Sequence, residues 1–416
     1  MPFDSCCTEE PLTTSWPTLL SSAHDLRRRL HRRPELAWDE HRTATTIRDE
    51  LDRLGIAWRA CADTGTLADI EPTGAASVGR PAEEPTESGE ARTPWTPVRV
   101  ALRADIDGIA VPEHADNPDR SEHDGIMHAC GHDGHTAALV AAAGWVHAQR
   151  DALPGPVRLL FQPAEEGGHG ARAMIGDGAL DGVDAVYGWH NWPAMAFGRA
   201  ACPDGTVMSA NGTFEIVVDG QGGHSSQPEM TRDPVLAAAA VTLDLQQIVA
   251  RRLPPQTPAV VAVTAIDAPS GLTVTPDVAR VSGSIRVSST AARDQVFALI
   301  AEIATATATA YGVTATVVPT TRYDATVNHP EPAQRWRDVL TAHLGADWAD
   351  TDVAVPLMAS EDFGEYTARV PGAFAIIGGG GPGTDVSCHS PRYRFNNALV
   401  ATVAAMFCDI VGLDPP

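Results

Sequence analysis

The alternation of apolar and polar positions changes character along the chain. Residues 16–33 and 42–54 alternate apolar and charged side chains at helical spacing, which predicts two amphipathic helices. Farther along, short apolar runs typical of buried strands alternate with helical stretches. The strands are predicted at 98–102, 157–161 and 184–189 and the helices at 136–147 and 170–179. This order is typical of an α/β domain with helices on both faces of a mixed sheet.

The pattern changes from about Ser209 onward. Here the chain predicts a β-α-β-β-α unit, with strands at 214–218, 259–266 and 279–287 and helices at 234–250 and 291–311. After Pro319 the first pattern returns, with a helix at 333–344, a strand at 373–377 and a helix at 397–411. We therefore expect residues 1–207 and 318–416 to form one α/β domain, and residues 208–317 to form a smaller α+β domain inserted into it.

The segment 72–97 differs from its surroundings in composition. It is rich in Gly, Pro, Glu, Thr and Ser, which predicts a loop inserted between two strands. We expect no chemistry from it.

Charge excludes several classes of function. The net charge of −23 disfavours nucleic acid and anionic membranes as partners, because both need a basic surface. The chain also contains no lysine, which excludes Schiff-base and P-loop chemistry as well as a lysine base.

The cysteines and the amino end bear on the cellular compartment. Seven cysteines are scattered through the chain, among them the adjacent pair Cys6 and Cys7, so a disulfide framework is not expected. The first ten residues are acidic and lack the basic and apolar regions of an export signal, and no apolar run reaches membrane-spanning length. We expect a cytoplasmic protein.

Residues 128–135 read His-Ala-Cys-Gly-His-Asp-Gly-His and concentrate metal donors. His128, Cys130, His132 and His135 offer the imidazole and thiolate groups that zinc and its first-row neighbours bind most readily. The run lies between a predicted strand and a predicted helix. Such junctions at the carboxyl ends of strands are where ligands gather in α/β proteins, so the run predicts a metal site.

More donors follow other predicted strands. Glu165 and Glu166 come directly after the strand at 157–161, His190 follows the next strand, and His389 lies near the carboxyl end. Adjacent carboxylates point in different directions, so one can bind metal while the other faces the substrate as a general base. Their repeated position at the ends of strands of one sheet favours a shared site over isolated structural residues.

Six sequence blocks together resemble the metal-dependent aminoacylase and carboxypeptidase family, and best its amidohydrolase branch, which includes hippurate hydrolases, indole-acetyl-amino-acid hydrolases and bacterial N-acyl-amino-acid amidohydrolases. The blocks are LRADID at 102–107, HACGHDGH at 128–135, QPAEEG at 162–167, GGHSSQP at 222–228, ASEDF at 359–363 and CHSP at 388–391. The resemblance spans about residues 20–412. It implies that the inserted domain is a ferredoxin-like lid and dimerisation domain.

The resemblance also implies a binuclear metal centre. The expected ligands are Cys130, His132, Glu166, His190 and His389, with Cys130 bridging the two ions. A bridging thiolate favours Zn²⁺, although a mixed imidazole and carboxylate set also accepts Mn²⁺ or Co²⁺.

The same resemblance assigns catalytic roles. Glu165 is the expected general base, which takes a proton from a metal-activated water and passes it to the leaving amine. Asp105 and Asp107 are expected to support the ligands through hydrogen bonds. His224 of the inserted domain is expected to stabilise the oxyanion from across a dimer, and Arg286 to bind the substrate carboxylate.

The sequence therefore predicts an enzyme that hydrolyses N-acyl amino acids and works as a homodimer or higher oligomer. A dipeptidase or carboxypeptidase of the same family is an alternative. A second alternative is an amidase with Cys130 as nucleophile and His132 or His135 as base, and a third is a protein that only binds a metal or small molecule. The aromatic residues Trp189, Trp192 and Phe363 suggest an apolar acyl pocket.

Overall fold

The computed structural model describes residues 15–73 and 99–414. Most of the segment expected to form a loop, residues 74–97, lies outside the described residues, as do Cys6 and Cys7. In the described part of the chain, the helices are α1 (Trp16–Arg32), α2 (His41–Arg53), α3 (His132–Ala148), α4 (Gly170–Gly176), α5 (Pro234–Asp244), α6 (Thr290–Ala310), α7 (Pro330–Leu344), α8 (Gly364–Thr367) and α9 (Ala398–Ile410).

The strands form two main sheets and two short ribbons. In chain order they are β1 (Trp58–Ala60), β2 (Thr66–Ile70), β3 (Val100–Asp105), β4 (Val157–Gln162), β5 (Ala185–Ala196), β6 (Ala200–Ala201), β7 (Gly205–Met208), β8 (Ala210–Asp219), β9 (Gly223–His224), β10 (Ala259–Asp267), β11 (Val274–Thr275), β12 (Val278–Val287), β13 (Thr314–Thr321), β14 (Thr326–Asn328) and β15 (Gly372–Gly380).

The larger sheet has seven strands in the order β1-β2-β4-β3-β5-β15-β6. Its central strands β4, β3, β5 and β15 run parallel, and the outer strands pair antiparallel. Alternate residues of each strand enter different cores. One core holds side chains of α1, α3 and α9, and the other holds those of α4 and α8. The predicted mixed sheet with helices on both faces is thus confirmed.

The smaller sheet is antiparallel, with the order β10-β12-β8-β13. Helices α5 and α6 pack their apolar side chains against it in a separate core. The chain order β-α-β-β-α-β and this strand order give a ferredoxin-like unit.

Two sequence-based boundaries differ from the structure. The expected domain limit at 317 falls inside β13, which pairs with β8 from Thr314 to Thr321. The helix expected at 234–250 ends at Asp244, and residues 248–252 form a π-helical turn. Within residues 15–73 and 99–414, no helix is both long and apolar enough to span a membrane.

Candidate metal centre

The turn from Cys130 to His132 directs the side chains of both residues towards the same space. Gly131 has a φ of 93°, and a Cβ there would lie 2.1 Å from the Asn191 side-chain oxygen. Only glycine fits this left-handed and crowded position without strain. Helix α3 begins at His132, so the turn places Cys130 and His132 at the carboxyl ends of the parallel strands.

Donor atoms from distant segments converge here. Three sets of neighbouring side chains could each hold a metal ion. They are Cys130, His132 and His190; Cys130, Glu166 and His389; and His132, Glu165 and Glu166. Within each group the donor atoms lie within 4.8 Å of one another. Cys130, His132 and Glu166 each belong to two of these groups, so the groups overlap as they would around two neighbouring ions.

Hydrogen bonds orient both buried histidines towards this space. His132 Nδ1 lies 3.0 Å from the Asp107 carbonyl oxygen and 3.2 Å from its carboxylate, while His132 Nε2 is buried without a hydrogen-bond partner among the described residues. His190 Nδ1 donates to the Asn191 carbonyl oxygen at 2.6 Å, and its Nε2 lies 3.2 Å from Cys130 Sγ. This is how metal-ligating histidines are usually held.

Glu166 and His389 complete the ring of donors. Glu166 Oε1 lies 3.0 Å from His389 Nε2, and the Glu166 amide donates to the Asp107 carboxylate at 2.9 Å. The His389 amide donates to the Ala129 carbonyl oxygen at 2.8 Å, which ties the carboxyl-terminal loop to the residues that precede Cys130. Asp107 therefore supports both His132 and Glu166.

Glu165 is buried beside the donors. Burial raises the pKa of Glu165 well above its usual range, and the nearby carboxylates of Glu361 and Glu166 raise it further. A bound cation acts in the opposite direction and favours the carboxylate. The Tyr323 hydroxyl donates to the Glu165 carbonyl oxygen at 2.5 Å, so a residue just after β13 of the small sheet holds this loop.

A buried ion network below the donors was not predicted. Arg103 is 1% exposed and pairs with Asp105 at 2.7 Å, Glu361 at 2.8 Å and Asp362 at 3.3 Å. The adjacent acids in the block at 359–363 were a visible signal, but the sequence assigned them no role. Asp105 also accepts from His135 Nδ1 at 2.6 Å, so it lies next to the imidazoles.

Two of the four donor residues in 128–135, His128 and His135, belong to none of the three donor groups named above. Both ring nitrogens of His135 are engaged, by Asp105 and by Asn191 at 3.0 Å. His128 is buried, neither of its ring nitrogens has a partner among the described residues, and burial lowers its pKa to about 4. His128 and Cys130 lie in the loop before α3, whereas His132 and His135 lie on the helix, so the four side chains face different surroundings.

A cavity of about 510 Å³ opens above the centre. Trp192, Met208 and Met358 give it an apolar wall, whereas Trp189 and Phe363 are buried in the two cores of the large domain. Arg286 lines the cavity, as its expected role requires. His224 is exposed, accepts from the Ser226 hydroxyl at 2.8 Å, and is not among the lining residues.

Comparison with known proteins identifies the family of this chain. Residues 101–412 match the model of peptidase family M20/M25/M40. The chain belongs to this family. Among its M20 relatives, the N-acetyl-L-cysteine deacetylase of Bacillus subtilis is 35% identical over 94% of this chain and 88% of the relative. The hippurate hydrolase of Campylobacter jejuni is 32% identical over 92% and 94%.

A solved M20 structure supports the same relationship. The YXEP protein of Bacillus subtilis, described as a dinuclear metal-binding peptidase of the M20 family, superposes with a TM-score of 0.78 at 28% identity and covers 95% of this chain and 98% of that chain. The resemblance seen in the sequence is confirmed, and with it the enzyme class, a hydrolase of amide bonds.

Proposed function

We propose that this protein is a binuclear metal-dependent amidohydrolase that cleaves N-acyl amino acids into a carboxylate and a free amino acid. The convergence of three overlapping donor groups, in which Cys130, His132 and Glu166 each belong to two, carries this proposal. A single structural ion would not need so many donors or the open cavity above them.

The donor set fits two divalent cations. Cys130, His132 and His190 would hold one ion, and Cys130, Glu166 and His389 the other. The His132 Nε2 atom is buried without a hydrogen-bond partner among the described residues, and a cation would satisfy it. A thiolate among imidazoles favours Zn²⁺, with Mn²⁺ and Co²⁺ as alternatives. When bound, such ions polarise a carbonyl group and lower the pKa of water.

In this proposal Glu165 moves the proton. Its carboxylate lines the cavity and would accept a proton from the attacking water, then donate that proton to the nitrogen of the leaving amine. Asp107 would hold the His132 imidazole and the Glu166 backbone in place during these steps.

His224 and Arg286 have supporting roles in the proposal. Arg286 would bind the substrate carboxylate with its planar guanidinium. Since His224 is exposed and does not line the cavity, it would reach the oxyanion of a second subunit, and the enzyme would act as a homodimer. The cytoplasmic location stays a prediction.

One observation bears on the cysteine-amidase alternative. Cys130 Sγ contacts His190 Nε2, whereas His132 Nδ1 faces Asp107 and both nitrogens of His135 are engaged. Among the described residues neither histidine first considered as the base hydrogen-bonds to the thiol, although His132 Nε2 lies within 4.8 Å of it, so a thiol mechanism would most directly use His190.

Metal analysis and a hydrolysis assay on the same purified protein test the proposal. We expect about two metal ions per chain and cleavage of N-acetyl, N-benzoyl or long-chain N-acyl amino acids that a chelator abolishes. A dipeptidase would instead prefer unblocked dipeptides. A metal-free, chelator-insensitive enzyme that thiol reagents inactivate would contradict the binuclear mechanism.

The base is tested by Glu165→Gln, which keeps the side-chain volume but cannot accept the proton. We expect kcat to fall by about 10²- to 10⁴-fold with unchanged metal content. Glu229→Gln, at an exposed position, is the matched control. Full activity of the Glu165→Gln protein with normal metal content would remove Glu165 from this role.

A further inference from the structure

Three polar side chains lie in one row across the small sheet, at the wall of the cavity. Arg286 on β12 is directly opposite Asn211 on β8 in the antiparallel register. On the other side of β8, the Arg322 amide donates to the Asn211 carbonyl oxygen at 3.2 Å and the Asn211 amide donates to the Tyr323 carbonyl oxygen at 2.9 Å. Arg322 and Tyr323, just after β13, therefore both lie opposite Asn211, as the two residues of a β-bulge do.

Directly opposite residues point to the same face of a sheet. All three residues of the row line the cavity. The Arg322 guanidinium packs over the metal-site loop, because a Cβ on Gly167 would lie 2.9 Å from its Nη2 atom. The row therefore faces the centre that contains Glu165 and Glu166.

The two guanidiniums lack an acidic partner. Among the described residues, no carboxylate pairs with Arg286 or Arg322, and the one hydrogen bond from the Arg322 side chain reaches the Gly167 carbonyl oxygen at 3.5 Å. The Asn211 side-chain oxygen accepts from the Tyr323 amide at 2.7 Å, which leaves its NH₂ group facing the cavity. The three side chains of the row therefore offer only hydrogen-bond donors to a ligand in the cavity.

Two like charges on one half-buried wall cost free energy unless an anion joins them. Burial lowers the pKa of Arg286, and the charge of Arg322 lowers it further. The chain as a whole carries a strong excess of negative charge, with 53 acidic and 30 basic residues. A positive row at this position therefore creates a local field for anions that the surface as a whole repels.

We propose that the row of Arg286, Asn211 and Arg322 binds a dicarboxylate, so that the preferred substrates are N-acyl derivatives of the acidic amino acids aspartate and glutamate. This rests on the proposed function. Arg286 takes the α-carboxylate and Arg322 the side-chain carboxylate, with the Asn211 amide between them.

The spacing favours two carboxylates over one. Arg286 lies on β12 and Arg322 directly follows β13, on opposite sides of β8, so their backbones are about 10 Å apart at the usual strand spacing. A single carboxylate pairs with one guanidinium in the bidentate geometry, which leaves the second one uncompensated. A dicarboxylate satisfies both.

The test compares isosteric substrates that differ in one charge. The metal-loaded enzyme is assayed on N-acetyl-L-glutamate against N-acetyl-L-glutamine, and on the aspartate and asparagine pair. We expect kcat/KM to be at least about tenfold higher for the acidic member, the size expected of a charged hydrogen bond. Equal rates for the two members of each pair would overturn the proposal.

The Arg322→Gln variant tests whether Arg322 recognises the side-chain carboxylate of the substrate or only supports the fold. It should raise KM for the glutamate derivative about tenfold or more, with little change in kcat, and leave the glutamine derivative unaffected. Arg251→Gln, exposed on the same domain and bonded only to a neighbouring carbonyl, is the control. An equal loss for both substrates would show a structural role and overturn the assignment.

Failure of the proposed function can be distinguished from failure of the dicarboxylate inference. If the metal-loaded protein cleaves none of these amides, the amidohydrolase proposal fails. Calorimetric titration of the same protein with N-acetyl-L-glutamate and N-acetyl-L-glutamine still decides the inference, since tighter binding of the dianion that depends on Arg322 supports it and equal affinity overturns it.

Discussion

Single residues determine whether the metal-donor side chains of this centre face one another. Gly131 lets the chain turn where any side chain would collide with Asn191. Asp107 then supports two proposed ligands, since one oxygen lies 3.2 Å from His132 Nδ1 and the other accepts from the Glu166 amide. Because the imidazole can rotate when this contact is lost, the precision of the centre depends on residues that bind no metal.

Asp107→Asn tests this support. The amide keeps one acceptor and the side-chain volume but loses the charge that favours the Nδ1–H tautomer of His132. We expect metal affinity to fall about 10- to 100-fold, measured by titration with Zn²⁺ against a competing chelator. Asp49→Asn, at an exposed position of α2, should leave affinity unchanged. Unaltered affinity in Asp107→Asn would show that the backbone carbonyl alone holds His132.

At the scale of elements, buried charges lock α1 against α3. Asp133, the residue after His132, accepts from Arg27 at 2.9 Å and from His31 at 3.0 Å, and the second nitrogen of His31 lies 3.0 Å from Glu113. Burial by itself lowers the pKa of His31, but the charge and hydrogen bond of Asp133 and the hydrogen bond of Glu113 raise it to about 9. The helix that begins the metal site is thus anchored by a protonated histidine.

This anchor predicts a loss of stability in mild alkali. The His31 pKa is raised above its usual value near 6.5, so its contribution is fully present below pH 6.5 and is lost as the pH rises through about 9. The contribution is at most about 3 kcal/mol. Urea unfolding at pH 6, 8 and 9.5 should show that wild type loses more free energy of unfolding than His31→Gln.

The control is His123→Gln, whose side chain is exposed. It should follow the wild-type pH dependence. If His31→Gln and wild type lost the same free energy between pH 6 and 9.5, the titrating group would have to lie elsewhere.

At the scale of the whole molecule, the small domain exposes apolar surface that the large domain does not cover. Leu236 and Leu243 lie seven residues apart on one face of α5 and are 56% and 73% exposed. Strand β10 is an edge of the small sheet, and its Ile266 is 50% exposed. An apolar helix face beside an unpaired strand edge is typical of a subunit interface.

We therefore predict a homodimer formed by the small domains. A double Leu236→Asp, Leu243→Asp protein should sediment as a monomer, because four buried charges would face each other across a symmetric interface. Phe197→Asp, at an exposed apolar residue of the large domain, is the control and should stay dimeric. A monomeric wild-type protein would contradict the dimer and the proposed role of His224.

Much of the fold and of the donor set was predictable from local pattern. Alternation with a period of 2 or 3.6 residues depends on neighbours in sequence, so it identified the α/β order and the inserted unit. The ligand candidates Cys130, His132 and Glu166 follow strands, and strand ends of a parallel sheet meet at one edge. Their chemistry was therefore readable before their positions were known.

What only the tertiary structure decided depends on contacts between distant segments. The pairing of Arg103 with Glu361 joins residues 258 positions apart, and the row of Arg286, Asn211 and Arg322 exists because β12 and the chain just after β13 pair with β8 on its two sides. A shift of one residue would turn these side chains to the other face. Sequence determined which donors were available and which elements would hold them, whereas register and packing determined which side chains face the cavity.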